Sequence, residues 1–151
     1  MTDHLQRAID LAVANVTDGG GPFGAVLVAP SGQVFEGVNR VTAVPDPTAH
    51  AEVQTIRAAA AGLGTHDLTG CVLYASCEPC PMCLGAALWA RVSRVVFAAD
   101  RHDAAAAGFD DAAFYDEIAG SPRAMARVHE PRSRAVEPFA AWIGYEGRRS
   151  Y

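Results

Sequence analysis

The chain contains no lysine: its twelve basic residues are all arginine, set against seventeen acidic residues for a formal net charge of −5. A molecule of this sign lacks the overall positive field that gathers phosphate backbones, and it has no lysine-rich groove, which argues against a nucleic-acid partner. It also lacks any run of the roughly 18 apolar residues that a membrane span requires. Residues 1–20 carry Asp3, Asp10 and Asp18 in place of a basic and then apolar leader, so the expectation is a cytoplasmic protein with no membrane partner. Of only four cysteines, Cys77, Cys80 and Cys83 stand three apart. That spacing is too close for a secreted disulfide framework and better suited to metal ligation or a reducing cytosol.

Half of the 151 residues are apolar, which suits a single domain over 1–151 with a core large enough to fold without staples. Charge is unevenly spread, because residues 121–151 hold six arginines against Glu130, Glu137 and Glu146 while the rest of the chain is acidic. Such a tail either docks on an acidic body, its own or a partner subunit's, or forms a solvated helix face.

Leu5, Ala8, Ile9, Ala12, Val13 and Val16 recur at three- and four-residue spacing and predict an amphipathic helix over 3–17. Gly19 to Gly21 follow as a turn; no Lys-Ser/Thr comes after them, so they are not a phosphate loop. Residues 23–29 and 33–41 read as two strands joined through Pro30-Ser31-Gly32 in an antiparallel hairpin. A helix is expected over about 49–61, a buried strand over 71–75, a helix from near Cys80 to Trp89 and a buried strand over 92–98. The strand-helix-strand order implies parallel pairing there. A helix over 111–119, a weak strand around 125–129 and a helix over about 137–147 complete an expected three-layer α/β/α sandwich on a mixed sheet of about five strands.

Chemistry concentrates in His50-Ala51-Glu52 and Pro79-Cys80-Pro81-Met82-Cys83, the H-x-E and P-C-x-x-C pattern of zinc deaminases. One imidazole and two thiolates are good zinc ligands, and three protein ligands leave a fourth tetrahedral position open to water, the mark of a catalytic site. Cys80 and Cys83 are i and i+3 at a predicted helix start, where the helix dipole favours thiolates. Glu52 is the candidate acid/base. On an ideal helix His50 and Glu52 diverge, so they converge only at an irregular first turn. An iron–sulfur reading lacks the fourth cysteine with its trailing proline. A structural zinc site closed by Cys77 leaves Glu52 without a task, and Cys71 reads as core.

These segments, together with Gly21-Pro22-Phe23-Gly24-Ala25-Val26, Asn39, Asp46-Pro47-Thr48 and Gly108-Phe109-Asp110-Asp111, resemble the zinc-dependent cytidine-deaminase-like superfamily and, within it, the bacterial guanine deaminases. The resemblance implies one Zn2+ per chain and a zinc-activated water that hydrolyses guanine to xanthine and ammonia. It also implies that Asn39 hydrogen-bonds the base edge, that Phe23 and His50 flank the ring, that Trp89 and Tyr151 contact substrate, and that Asp111 is a second proton shuttle. Either Asp110 or Asp111 is alternatively a helix N-cap, and Asn39 a turn former. The resemblance further implies a homodimer that exchanges the segment of about 121–151, with Trp142 and Tyr151 enclosing the partner's substrate. Competing expectations are a deaminase of cytosine, cytidine, a triazine or tRNA adenosine, and a non-enzymatic zinc-stabilised interaction module, which has no use for Glu52.

Overall fold

The computed structural model describes residues 2–120, 125, 127 and 129–150. The chain opens with α1 (His4–Thr17), whose N-terminus is capped by Asp3 accepting from the Gln6 amide at 3.0 Å. The hairpin follows as β1 (Gly24–Val28) and β2 (Val34–Val38), then α2 (Ala51–Leu63), β3 (Val72–Cys77), α3 (Pro81–Trp89) and β4 (Arg94–Ala99). The chain continues through α4 (Arg101–Ala106), α5 (Asp111–Ile118) and α6 (Glu137–Gly144).

The sheet runs β2-β1-β3-β4, with β1 antiparallel to both neighbours and β3 parallel to β4 across the α3 crossover. It is a mixed sheet, as expected, with four described strands rather than about five. The strand expected around 125–129 falls partly on residues outside the described set. Helix α4 was not foreseen. It is a short alanine-rich turn stabilised by a reciprocal capping box, in which Asp100 accepts from the His102 and Asp103 amides and the Asp103 carboxylate accepts from the Asp100 amide.

Two glycines show how the layers are arranged. A Cβ at Gly24 would lie 2.4 Å from the Ala8 carbonyl oxygen of α1, whereas one at Gly37 would lie 2.8 Å from the Ala51 carbonyl oxygen of α2. Gly37 pairs with Ala25, the neighbour of Gly24, and adjacent strand residues face opposite sides. Helices α1 and α2 therefore cover opposite faces. Between the sheet and α2–α3 lies a core in which Leu27 and Leu73 from the strands, with Ala25, pack against the small side chains of Ala51, Ala59, Ala87 and Ala90. Alanine at these places lets each helix lie close to the strands beneath it. Coverage on both sides explains why Gly24 to Leu27 are all buried and read as an unbroken apolar run.

Gly24→Ala is expected to destabilise the fold by about 1–3 kcal/mol, because the atoms it strikes are helix backbone that cannot rotate aside. Urea melts of the two proteins check this; an unchanged midpoint would contradict the close approach of α1.

Candidate active site

The two parts of the motif meet because both precede helices that start at the same edge of the sheet. His50 is the N-cap of α2, with extended backbone (φ −66°, ψ 154°), and Cys80 is the N-cap of α3 in a similar conformation (φ −64°, ψ 168°). Pro81 occupies the first turn of α3, where no amide donor is needed. Since His50 stands just outside the helix and Glu52 just inside it, the i, i+2 pair escapes ideal helical divergence. Both line one cavity, as the irregular first turn required.

His50 Nδ1, Cys80 Sγ and Cys83 Sγ form a nearly equilateral triangle: 3.6 Å between the sulfurs, and 3.6 and 3.4 Å from Nδ1 to Cys80 and Cys83. Tetrahedral zinc, with bonds of about 2.3 Å to sulfur and about 2.0 Å to nitrogen, separates two sulfurs by about 3.8 Å and sulfur from nitrogen by about 3.5 Å. The donor set fits zinc in chemistry and in spacing. It is also the one metal-competent cluster among the described residues. Cys77 stays outside it: its thiol donates to the Asp100 carbonyl at 3.5 Å, and burial pushes its pKa up to about 11. Cys71 is buried core.

Electrostatics favour a thiolate at the triangle. The hydrogen bond to Cys83 and the His50 ring hold Cys80 well below the usual thiol range against the opposing effect of burial, while the hydrogen bond to Cys80 and burial raise Cys83. His50 is raised chiefly by its hydrogen bond to Cys80. Burial lifts the Glu52 carboxyl above the ordinary carboxylate range; 7% of the residue is exposed, and it shares a hydrogen bond with the Cys83 thiol. Burial raises Asp111 as well. Asp110 takes the N-cap position of α5 without a side-chain capping bond, and Asp111 is the first helical residue.

A cavity of about 290 Å3 joins these groups, lined by Phe23, Asn39, His50, Glu52, Cys80 and Asp111 among others. Asn39 is a turn former in the structure and also lines the cavity. Its Oδ1 accepts from the Val41 amide at 3.2 Å, the short bond of an Asx turn. Buried Asn15, on α1, ties the walls together by donating to the carbonyls of Gly21 at 2.8 Å and Asn39 at 2.9 Å. Phe109 also lines the cavity and packs edge-on against Phe23 with ring centroids 4.9 Å apart. No local spacing in the sequence couples Phe109 to Phe23. Trp89 is not brought to this cavity. It ends α3 and lines a separate surface hollow with Phe139 and Trp142. Tyr151 lies outside the described residues.

The purified protein is expected to carry one zinc per chain, lost when Cys80 and Cys83 are both replaced by alanine and kept in Glu52→Gln. The glutamine variant should lose turnover by on the order of 10²-fold, because an amide cannot shuttle a proton. Metal analysis and single-turnover assays check both; zinc retained without either cysteine would remove the ligand assignment.

Residues 1–99 match the model of the cytidine and deoxycytidylate deaminase zinc-binding region. The chain is 47% identical to the guanine deaminase of Bacillus subtilis over 150 residues, covering 97% of this chain and 96% of that protein. The crystal structure of a Bacillus subtilis guanine deaminase superposes with a TM-score of 0.94 at 46% identity, covering 100% of this chain and 99% of the other. A crystal structure in complex with 2,6-diaminopurine superposes with a TM-score of 0.68 at 38% identity, over 72% of this chain and 61% of the other. By sequence along nearly its whole length, by fold and by its ligand triangle, the chain belongs to the zinc-dependent deaminases and, among them, to the bacterial guanine deaminases.

Proposed function

We propose that the chain hydrolyses guanine to xanthine and ammonia. The observation that carries this reading is that two carboxyls from different helices, Glu52 on α2 and Asp111 on α5, line one small cavity with the His50–Cys80–Cys83 set. Removing an amino group from an aromatic ring by hydrolysis needs two proton movements, one onto a ring nitrogen and one onto the departing amine. When bound, zinc lowers the pKa of water enough to make it a nucleophile near neutral pH. Glu52 takes one proton of the water that adds at C2, delivers it to the ring nitrogen beside that carbon, and then takes the remaining hydroxyl proton as the C2 carbonyl forms. Asp111, protonated beforehand, donates to the amine as the carbon–nitrogen bond breaks, and the proton held by Glu52 restores it after ammonia leaves. Burial raises both carboxyls, the direction that favours a group holding a proton before it gives it up.

At about 290 Å3 the cavity sits at the small end of ligand sites, a size that suits a free base. One lone pair of Asn39 is committed to the Asx turn, and its amide N–H groups and remaining lone pair offer donor and acceptor to a heterocycle edge. Phe23, steadied by Phe109, gives the ring an aromatic neighbour. Similarity to a guanine deaminase and to a protein that binds 2,6-diaminopurine, like guanine a 2-aminopurine, supports the substrate.

We infer further that the enzyme is a homodimer exchanging the segment of about 121–151. Within its own chain α6 leaves Phe139 and Ile143 largely exposed. Beside α1 runs an apolar groove of about 620 Å3, lined by Ile9, Val13, Val16 and Ala98 and bounded by Phe23 and Phe109, which also line the catalytic cavity. A second copy's C-terminal segment suits that groove and would bring Trp142 and Tyr151 towards the substrate. The tail's Arg132 and Arg134 pair with Glu130 and Glu137 of the same segment, so the segment carries part of its own charge balance.

Two measurements test these readings. Asp111→Asn should lower kcat for guanine by roughly 10²–10⁴-fold with little change in Tm, whereas a mere helix cap would tolerate the change. Ammonia released from cytidine but not from guanine would overturn the substrate. Mixing Glu52→Gln chains with chains truncated after Gly120 should restore activity that neither has alone, because one supplies the tail and the other the carboxylate; no recovery would contradict exchange.

A further inference from the structure

The chemistry proposed above uses neither Arg101 nor Tyr115, yet these two residues tie the segment that carries Cys80 to the helix that carries Asp111. Glu78 and Pro79 connect β3 to Cys80. The Glu78 carboxylate accepts four bonds from Arg101: from the backbone amide at 2.9 Å, from Nε to each oxygen at 3.2 Å and from Nη2 at 2.7 Å. The pair is partly shielded, with side chains 15% and 33% exposed, and the bidentate fork fixes orientation as well as distance. The guanidinium carbon sits over the Tyr115 ring, 3.6 Å from its centroid. Tyr115 then donates its hydroxyl to the Pro79 carbonyl at 2.7 Å.

Tyr115 stands four residues after Asp111, and residues so spaced share one helix face. Helix α5 lies against α3 and α4 but is short and shallowly seated: it is eight residues long, no residue of it is fully buried, and Asp110 makes no side-chain capping bond. Helices this short do not persist by intrinsic propensity alone. We propose that Arg101 and Tyr115 are positioning residues that clamp α5 onto the Glu78–Pro79 segment and so set the place of the Asp111 carboxyl relative to the reacting carbon. The clamp rests on the proton-donor reading of Asp111. It gives that carboxyl a fixed position although the helix bearing it lies at the surface.

The test is a double-mutant cycle on the zinc-loaded enzyme with guanine as substrate. Tyr115→Phe removes the hydroxyl bond and keeps the ring; Arg101→Gln removes the fork. Each should lower kcat by roughly ten- to a hundredfold, the range expected for a misplaced reacting group, with KM and zinc content unchanged. In an Asp111→Asn background neither should lower kcat further, because the group they position no longer donates. A large loss in Asp111→Asn together with a fully additive loss in the double variants would overturn the clamp and leave the proton-donor reading standing. Normal kcat in Asp111→Asn would overturn both. Zinc loss in Tyr115→Phe, or normal kcat in Tyr115→Phe and Arg101→Gln with zinc retained, would also overturn the clamp. Tyr115→Phe, the milder change, decides the matter if Arg101→Gln fails to fold.

Discussion

Two helix starts directed at one point are the constraint on which the rest of the structure depends. Neither α2 nor α3 is capped by the side chain of its N-cap residue; His50 and Cys80 occupy those positions and turn towards each other. A capping side chain contributes about 0.5–2 kcal/mol to a helix, and both helices forgo it. In exchange, the amides of two first turns point their partial positive charge towards thiol groups that must ionise. The local fold and the chemistry are therefore the same arrangement: moving either helix start would separate the donors and strand a buried Glu52.

That arrangement extends outward in steps. Asn15 anchors both walls of the cavity to α1, and the pairing of β3 with β4 places Ala99 where its carbonyl accepts the Glu78 amide at 2.8 Å. The loop between β3 and α3 is thereby held from the sheet on one side and from α4 and α5 on the other. Rigid placement matters because a proton donor misplaced by about 1 Å forfeits much of its effect.

Much of this was legible in the residues. Cys80 and Cys83 could be assigned to one metal because i, i+3 spacing at a helix start brings two side chains to one face, and His50 with Glu52 could be joined to them because the pattern has a known chemical use. The strands, too, announced themselves through apolar runs such as Gly24 to Leu27 that only two-sided burial explains. What stayed hidden depended on tertiary distance. Glu78 and Arg101 are 23 residues apart and Tyr115 and Pro79 are 36 apart, with no periodicity to link them. Helix α4 went unseen because its signal is a capping box on a run of alanines rather than an apolar stripe. Trp89 illustrates the opposite difficulty: it shares α3 with both cysteines, but nine helical residues carry the chain about 13 Å, enough to set its first turn and its last at different sites.

The alanines between sheet and helices have a consequence for how this protein can change over generations. Leu27 and Leu73 would fail by shrinkage, as any large core side chain does, whereas Ala25, Ala51, Ala59 and Ala87 beside them have little to lose by shrinkage and no room for growth. Each added methylene would push a helix away from the strands, and for α2 that displacement would reach the imidazole at its tip. Substrate preference can therefore drift through loops such as 39–47 and 107–111, whereas the interior is closed to bulk, and lineages that alter the pocket should do so around an inner layer that stays small.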